Sequence, residues 1–178
     1  MIGMGLVSGD EFVRLFSSFD VSAFRLETRE RYHLAKDEEE PLRRFLAGEP
    51  DDMAWMGEWF DLMRSHAAHG RTFRRVRVVS RPFSDYTRFS MAVARHSIPA
   101  GDRIHYLDRS EVDRLGLPRS DWWLFDDERL ALLHLDAGDV LLGAEIITDP
   151  TVVEQHRAWR DLAWENAIAL EEFVTSGA

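Results

Sequence analysis

Two adjacent aspartates, Asp126 and Asp127, interrupt a run of apolar residues. Paired carboxylates of this kind can hold a divalent metal or divide general acid and base work between them. A metal-assisted phosphate-ester hydrolase is the chemistry they would serve. Aspartates in a tight turn also serve the backbone itself, which is their commoner use. Ser80, Asp85 and a histidine can be written as a nucleophilic triad, but no nucleophile-elbow glycine pattern surrounds the serine. The seven histidines lack metal spacing. His66 and His69 lie three apart on one helical run without a third ligand, and a helix C-terminus favours histidine for its dipole. His156 falls on an apolar stripe and reads as a core residue. With no cysteine there is no thiol nucleophile, zinc knuckle or disulfide. No catalytic residue, metal ligand or cofactor is assigned.

Binding chemistry is better represented. Arg71, Arg74, Arg75, Arg77 and Arg81 form the densest basic cluster, with Arg88 and Arg95 beyond it. On a strand Arg75 and Arg77 share one face and Arg74 takes the other. They would contact an anion or nucleic acid, or pair with the carboxylates of Asp51, Asp52, Glu58 and Asp61. The net charge of −10 repels polyanions and favours the ion pairs. Direct DNA binding through the Arg71–Arg81 strand predicts a steep salt dependence, lost when Arg75 and Arg77 become alanine. It lacks the aromatic interleaving of a single-strand platform. Ser80 to Tyr86 lead from a strand into a helix, where α/β folds tend to bind ligands and helix amides favour anions. The expected ligand- or partner-binding residues are therefore Arg77, Ser80, Arg81, Asp85, Tyr86, Arg88 and, at another strand end, Asp126.

These groups need a scaffold. The 178 residues suit one domain, 1–178, whose core buries about 70% of the unfolded surface. Residues 1–70 read as a mainly helical part, and 71–178 as a mixed-sheet core with a long C-terminal helix. No apolar run approaches the ~20 residues that span a bilayer, so a cytoplasmic location without membrane contact is expected. Ser8-Gly-Asp-Glu11 is a capping box opening a short helix, and Phe24 and Leu26 alternate as a strand. Residues 37–47 read as a helix, and Met53, Met56, Phe60, Met63 and Ala67 recur at helical spacing before Gly70. Phe73–Val79 is a strand, Pro82, Ser84 and Asp85 open a helix that Pro99-Ala-Gly101 ends, and Ile104–Leu107 is a strand again. That order makes a βαβ unit with a parallel pair.

Three apolar runs follow, Trp122–Phe125, Leu130–Leu135 and Val140–Ile147, joined by short acidic turns that imply antiparallel hairpins. The run Asp121-Trp-Trp-Leu-Phe-Asp126 is apolar on both faces, as in a central strand. Asp149-Pro150 starts a last helix whose stripe runs through Val153, His156, Trp159, Ala163, Ala167 and Leu170. The fold class is α+β, a mixed sheet flanked by helices.

The segments Arg77-Val-Val-Ser80, Ser84-Asp-Tyr86, Arg88-Phe89, Leu117-Pro118, Asp121–Asp126 and Ala163-Trp-Glu-x-Ala167 resemble an uncharacterised actinobacterial family of unknown function. The likeness covers most of the chain. Members of that family are often encoded beside helix-turn-helix regulators of the developmental, whiJ-like type, which implies a DNA-binding partner protein. The element order also resembles one half of the phospholipase D fold. Active members carry His-x-Lys-x-x-x-x-Asp before the hairpin. Counting back from Asp127 gives Ser120 and Trp122, and from Asp126 gives Arg119 and Asp121, so neither register supplies histidine or lysine. The resemblance implies a half that lacks the catalytic motif, and a homodimer to complete the pair. Together these readings lead to a non-catalytic regulatory or adaptor domain that acts through such a partner or a small anionic ligand.

Overall fold

The computed structural model describes residues 5–34 and 36–177. Helix α1 (Gly9–Arg14) precedes strand β1 (Ser22–Glu27), and α2 (Glu39–Leu46) leads through a single 3₁₀ turn, Ala54–Met56, to α3 (Gly57–Ala68). Then come β2 (Thr72–Val79), α4 (Asp85–Ala100), β3 (Asp102–Asp108) and α5 (Arg109–Leu115). Strands β4 (Trp122–Phe125), β5 (Arg129–Leu135) and β6 (Leu141–Ile147) follow, and α6 (Pro150–Asn166), β7 (Ile168–Ala169) and α7 (Leu170–Thr175) close the chain. The strands form one mixed sheet in the order β6-β5-β4-β1-β2-β3-β7. Strands β1, β2 and β3 are parallel; β4, β5, β6 and β7 join antiparallel to their neighbours.

The predicted α+β class and the βαβ unit β2-α4-β3 are present. Strand β4 lies inside the sheet and every one of its side chains is buried. Local chemistry sets the helix ends. Ser84 Oγ accepts from the Thr87 amide at 3.1 Å to cap α4, and Asp149 accepts from Thr151 and Val152 to cap α6. Gly101 ends α4 at φ 119, where a Cβ would stand 3.0 Å from the Met63 carbonyl oxygen. That contact fixes how closely α4 packs on α3.

The structure departs from the sequence reading at several points. Within the largely helical stretch before Gly70, β1 lies at the heart of the sheet between β4 and β2, so that stretch is built into the same mixed sheet as residues 71–178. Pro99 lies within the last turn of α4 instead of beyond it. Helix α5, capped by Asp108 and closed by Gly116 at φ 65, had no counterpart in the reading. The last helix stops at Asn166. Ala167 is extended, and Ile168–Ala169 pair with His105 and Tyr106 before α7 begins at Leu170. Backbone pairing along β3 outweighs continuation of the amphipathic stripe.

Alternation along the strands sorts the side chains onto two faces. Phe24, Leu26, Val76, Val78, Trp122 and Leu124 form a core with Val153 and Ala163 of α6. On the opposite face Phe19, Ala23, Phe73, Trp123 and Phe125 pack with Phe60 and Met63 of α3. A third cluster joins Val79, Met91, Ile104, Tyr106 and Phe173. The second face also carries charge.

Candidate functional site

Strand register builds the site. Arg25 lies level with Arg75, and Glu27 with Arg77, so four charged residues project from the same face of two adjacent parallel strands. Asp102, the first residue of β3, and Asp121, just before β4, complete the set. Glu27 accepts from Arg77 at 2.6 Å and Arg75 at 3.0 Å, with Arg25 at 3.7 Å. Asp102 takes Arg75 through both oxygens, at 2.6 and 3.2 Å, and also accepts from Ser97 at 2.8 Å. Asp121 accepts from the Thr28 amide at 2.8 Å, the Thr28 hydroxyl at 2.7 Å and the Tyr32 hydroxyl, with Arg25 at 3.4 Å. Three guanidiniums thus balance three carboxylates inside the protein.

Burial alone would push the Glu27 carboxyl up, but Arg25, Arg75 and Arg77 overcome it and hold the group at about 2. Burial likewise opposes charge on Arg75 and Arg77, and their carboxylate partners reverse the effect so that both stay charged. Tyr106 is pushed up to about 12, and Tyr32 and Tyr86 also rise, chiefly through burial. The phenols therefore remain protonated and Glu27 remains ionised at neutral pH. Efficient general acid or base catalysis favours a group that titrates near the working pH. These groups titrate far from it.

Arg77 stands out within the cluster. Its side chain is 7% exposed and lies between two aromatic rings, 5.5 Å from the Tyr32 centroid and 5.4 Å from that of Tyr86. Nη1 serves Glu27, but Nε and Nη2 are buried and have no acceptor among the described residues. Leaving such donors unpaired costs about 1–3 kcal/mol apiece. Arg25 Nε is unpaired as well.

The structure gathers some of the sequence-predicted residues and separates others. Arg77 and Tyr86 meet. Ser80 donates to Glu30, which also pairs with Arg109, and Arg109 Nε reaches Ser80 Oγ at 2.9 Å. Arg81 donates to the Phe173 carbonyl at 2.6 Å and lies near Asp108 at 3.5 Å, against the Phe83 and Phe173 rings. Asp85 and Arg88 pair with each other on the exposed side of α4. Asp126 does not join them. It follows the antiparallel β4 and sits beside Ser22, at the start of β1. Thr72 is level with Ser22, so eight residues of strand rise, roughly 25 Å, separate Asp126 from Ser80.

The acidic turn serves the backbone. Asp126 and Asp127 have φ of 55° and 60°, the left-handed pair of a tight hairpin turn. Asp126 accepts from the amides of Asp20, Val21 and Ser22 at 2.7–3.1 Å. Burial would raise its carboxyl, yet those amides and Arg129 leave it below the ordinary carboxylate range. Asp127 turns toward α6, pairing with Arg160 and lying 3.9 Å from Arg157. The two carboxylates diverge, which removes the geometry a shared metal or proton would need. Asp126→Ala is expected to cost about 2–3 kcal/mol in denaturant unfolding, from lost charge-assisted bonds and alanine at positive φ. Asp126→Asn should cost less, because asparagine keeps an acceptor and tolerates that backbone.

The expected ion pairs of the arginine cluster also have different partners. Arg75 and Arg77 pair with Glu27 and Asp102, whereas Asp51 and Asp52 bond nearby amides and Asp61 pairs with Arg64. An alanine change at Arg75 or Arg77 therefore alters an internal ion-pair network, so a change in DNA retention would not by itself mark a DNA contact. His66 bonds the Phe16 carbonyl and His69 the Ser65 carbonyl, so the two do not converge on a common ligand. His156 bonds the Val152 carbonyl and meets Trp122 edge-on.

Sequence reasoning missed Arg25, Glu27, Tyr32, Asp102 and Asp121. The available signal was the Arg25-Leu-Glu27 alternation, which places two charges on one face of a strand.

A family model described as a domain of unknown function, DUF6879, matches residues 10–175. The chain belongs to that family. No curated protein matches it. The match spans the whole charge cluster and every strand, so the DUF6879 region and the single sheet coincide. No helix among the described residues is long and apolar enough to cross a membrane.

Proposed function

We propose that this DUF6879 domain is a non-catalytic regulatory module that binds a small anionic ligand at Arg77. The observation that carries the reading is the Arg77 guanidinium. It is held between Tyr32 and Tyr86 and keeps Nε and Nη2 unpaired in the interior. A planar fork with two free N–H groups suits a carboxylate or phosphate oxygen pair. The site lies toward the C-terminal ends of β1, β2 and β3, the usual ligand edge of parallel strands. Glu27 at about 2 and phenols at raised values support binding without proton transfer. The anion would enter beside the segment that carries Tyr32.

A helix-turn-helix regulator that reads the bound state, and a homodimeric assembly, are further parts of the proposal. Both are supported by the resemblances noted in the sequence.

The test is direct. Inorganic phosphate, pyrophosphate and citrate are titrated into the protein at ionic strength matched with chloride, while the Arg77 Nε–H resonance and the melting temperature are followed. At least one anion should move that resonance saturably and raise the melting temperature, by an amount equivalent to about 2.7 kcal/mol at a hundredfold excess over Kd. If all three leave both readouts where chloride leaves them, Arg77 is a structural cation and the reading is wrong.

A further inference from the structure

The parallel part of the sheet is unfinished at its outer edge. Strand β3 runs Asp102–Asp108, but β7 pairs with it only at His105 and Tyr106. Along Asp102–Ile104 the backbone has β2 on one side and no strand on the other among the described residues. A groove of about 530 Å³ opens at that edge, with Arg71, Ile98, Arg103, Ile104, Trp164 and Leu170 among the residues that line it. Its apolar part includes Ile98, which is 37% exposed.

The charge there is unusual for a chain of net charge −10. Most arginines with carboxylates in reach have paired with them, as the cluster around Glu27 illustrates. Arg71 and Arg103 line the groove without a carboxylate within 4 Å among the described residues. Arg74 lies against Trp164 at 5.2 Å, and its Nε is buried without an acceptor. The Arg74 guanidinium sits below its ordinary value, through burial and then through Arg160, with Asp127 and Asp161 only partly offsetting them. Helices α3, α4 and α6 all end near this edge, and each contributes about half a negative charge. Three ends give about −1.5 against the two lining guanidiniums of Arg71 and Arg103, so the groove stays weakly positive, with Arg74 behind Trp164 adding to it. Asp102, which also lines it, is already neutralised by Arg75.

An open strand edge, an apolar floor and arginines without a carboxylate partner together match an extended acidic peptide. Main-chain bonds to β3 would supply affinity, and alternating side chains would supply specificity. We propose that this groove receives a short acidic segment of a partner protein. The segment adds as a strand beside Asp102–Ile104, with carboxylates on Arg71 and Arg103 and an apolar residue against Ile98 and Leu170. The groove lies at the opposite end of β2 and β3 from Arg77, so the inference stands or falls separately from the anion site.

The probe is a phage-displayed library of random seven-residue peptides, selected on the whole chain. Enriched peptides should alternate Asp or Glu with apolar residues. A synthetic peptide of the consensus should shift the amide resonances of Arg103 and Ile104, and should bind the Arg71→Glu/Arg103→Glu variant at least tenfold more weakly. Both positions are at the groove rim, and an unchanged melting curve serves as the folding control. Selection of neutral or basic peptides, or of none, would overturn the proposal. So would equal binding to the double variant, or displacement by inorganic phosphate at matched ionic strength, which would mark a small-anion site instead.

Discussion

Glu27→Gln is expected to destabilise the protein by about 3–5 kcal/mol, because it leaves Arg25, Arg75 and Arg77 in the interior without their shared counter-charge. In a thermal melt this should lower the midpoint by about 10 °C or more. The interaction is unequal in its two directions. Removing the carboxylate leaves Arg77 with no counter-charge and Arg25 and Arg75 with only Asp121 and Asp102, whereas removing one cation leaves the carboxylate with two others. Arg77→Met should therefore stay within about 1 kcal/mol of the parent, since it also relieves the two unpaired N–H groups. Urea unfolding of the two variants checks the contrast. If Arg77→Met proved as damaging as Glu27→Gln, Arg77 would be a structural strut, and its retention would need no ligand to explain it.

Acid should unfold the protein in two stages. His66, His105 and His156 are all held below the ordinary histidine value, first of all by burial. A folded value below the unfolded one gives stability that is present above about pH 6.5 and is lost as pH falls through the folded value. A gentle decline below about pH 6.5 is thus expected. Glu27 acts lower down. Its folded value of about 2 lies below the unfolded value of 4.5, so its contribution is complete above about pH 5. That contribution, of the order of 3 kcal/mol, is lost between about pH 4.5 and 2. Asp126 and Asp108 are also held low and act in the same sense. Unfolding free energies measured across pH 3–8 should show a steepening below about pH 4.5. In Glu27→Gln that steepening should shrink while the histidine phase persists.

Much of the scaffold was legible because it is local. Ser84 and Asp149 announce their helices by capping chemistry, and the turns after Phe125 and Leu135 announce hairpins. The Asp121–Asp126 run showed a strand covered on both faces, and all four residues of β4 are buried. The site was less legible because strand order creates it. Arg25 and Glu27 meet Arg75 and Arg77 only because a crossover of about 45 residues brings β2 parallel beside β1. Nothing in either segment alone signals that pairing. Asp126 and Ser80 both follow strands, but β4 is antiparallel to β1 and its end lies at the other side of the sheet. Direction, which a list of strands does not contain, decides which strand ends share a site.

The same logic explains why the basic segment misleads. Five arginines between positions 71 and 81 look like one patch in sequence. In the fold Arg75 and Arg77 turn inward, Arg74 faces Trp164 on the other side, Arg71 lies at the outer groove and Arg81 clamps α7 through Phe173. One run of charge thus contributes to four environments.

The charge on Glu27 holds the arginine cluster in place, and a carboxyl ¹³C titration of Glu27 measures that property most directly. The resonance should hold its ionised position from pH 8 down to about pH 4, with any inflection confined below that. A midpoint at pH 5 or higher would contradict the account, because the residue could then exchange a proton near neutrality and the cluster would be a candidate acid or base.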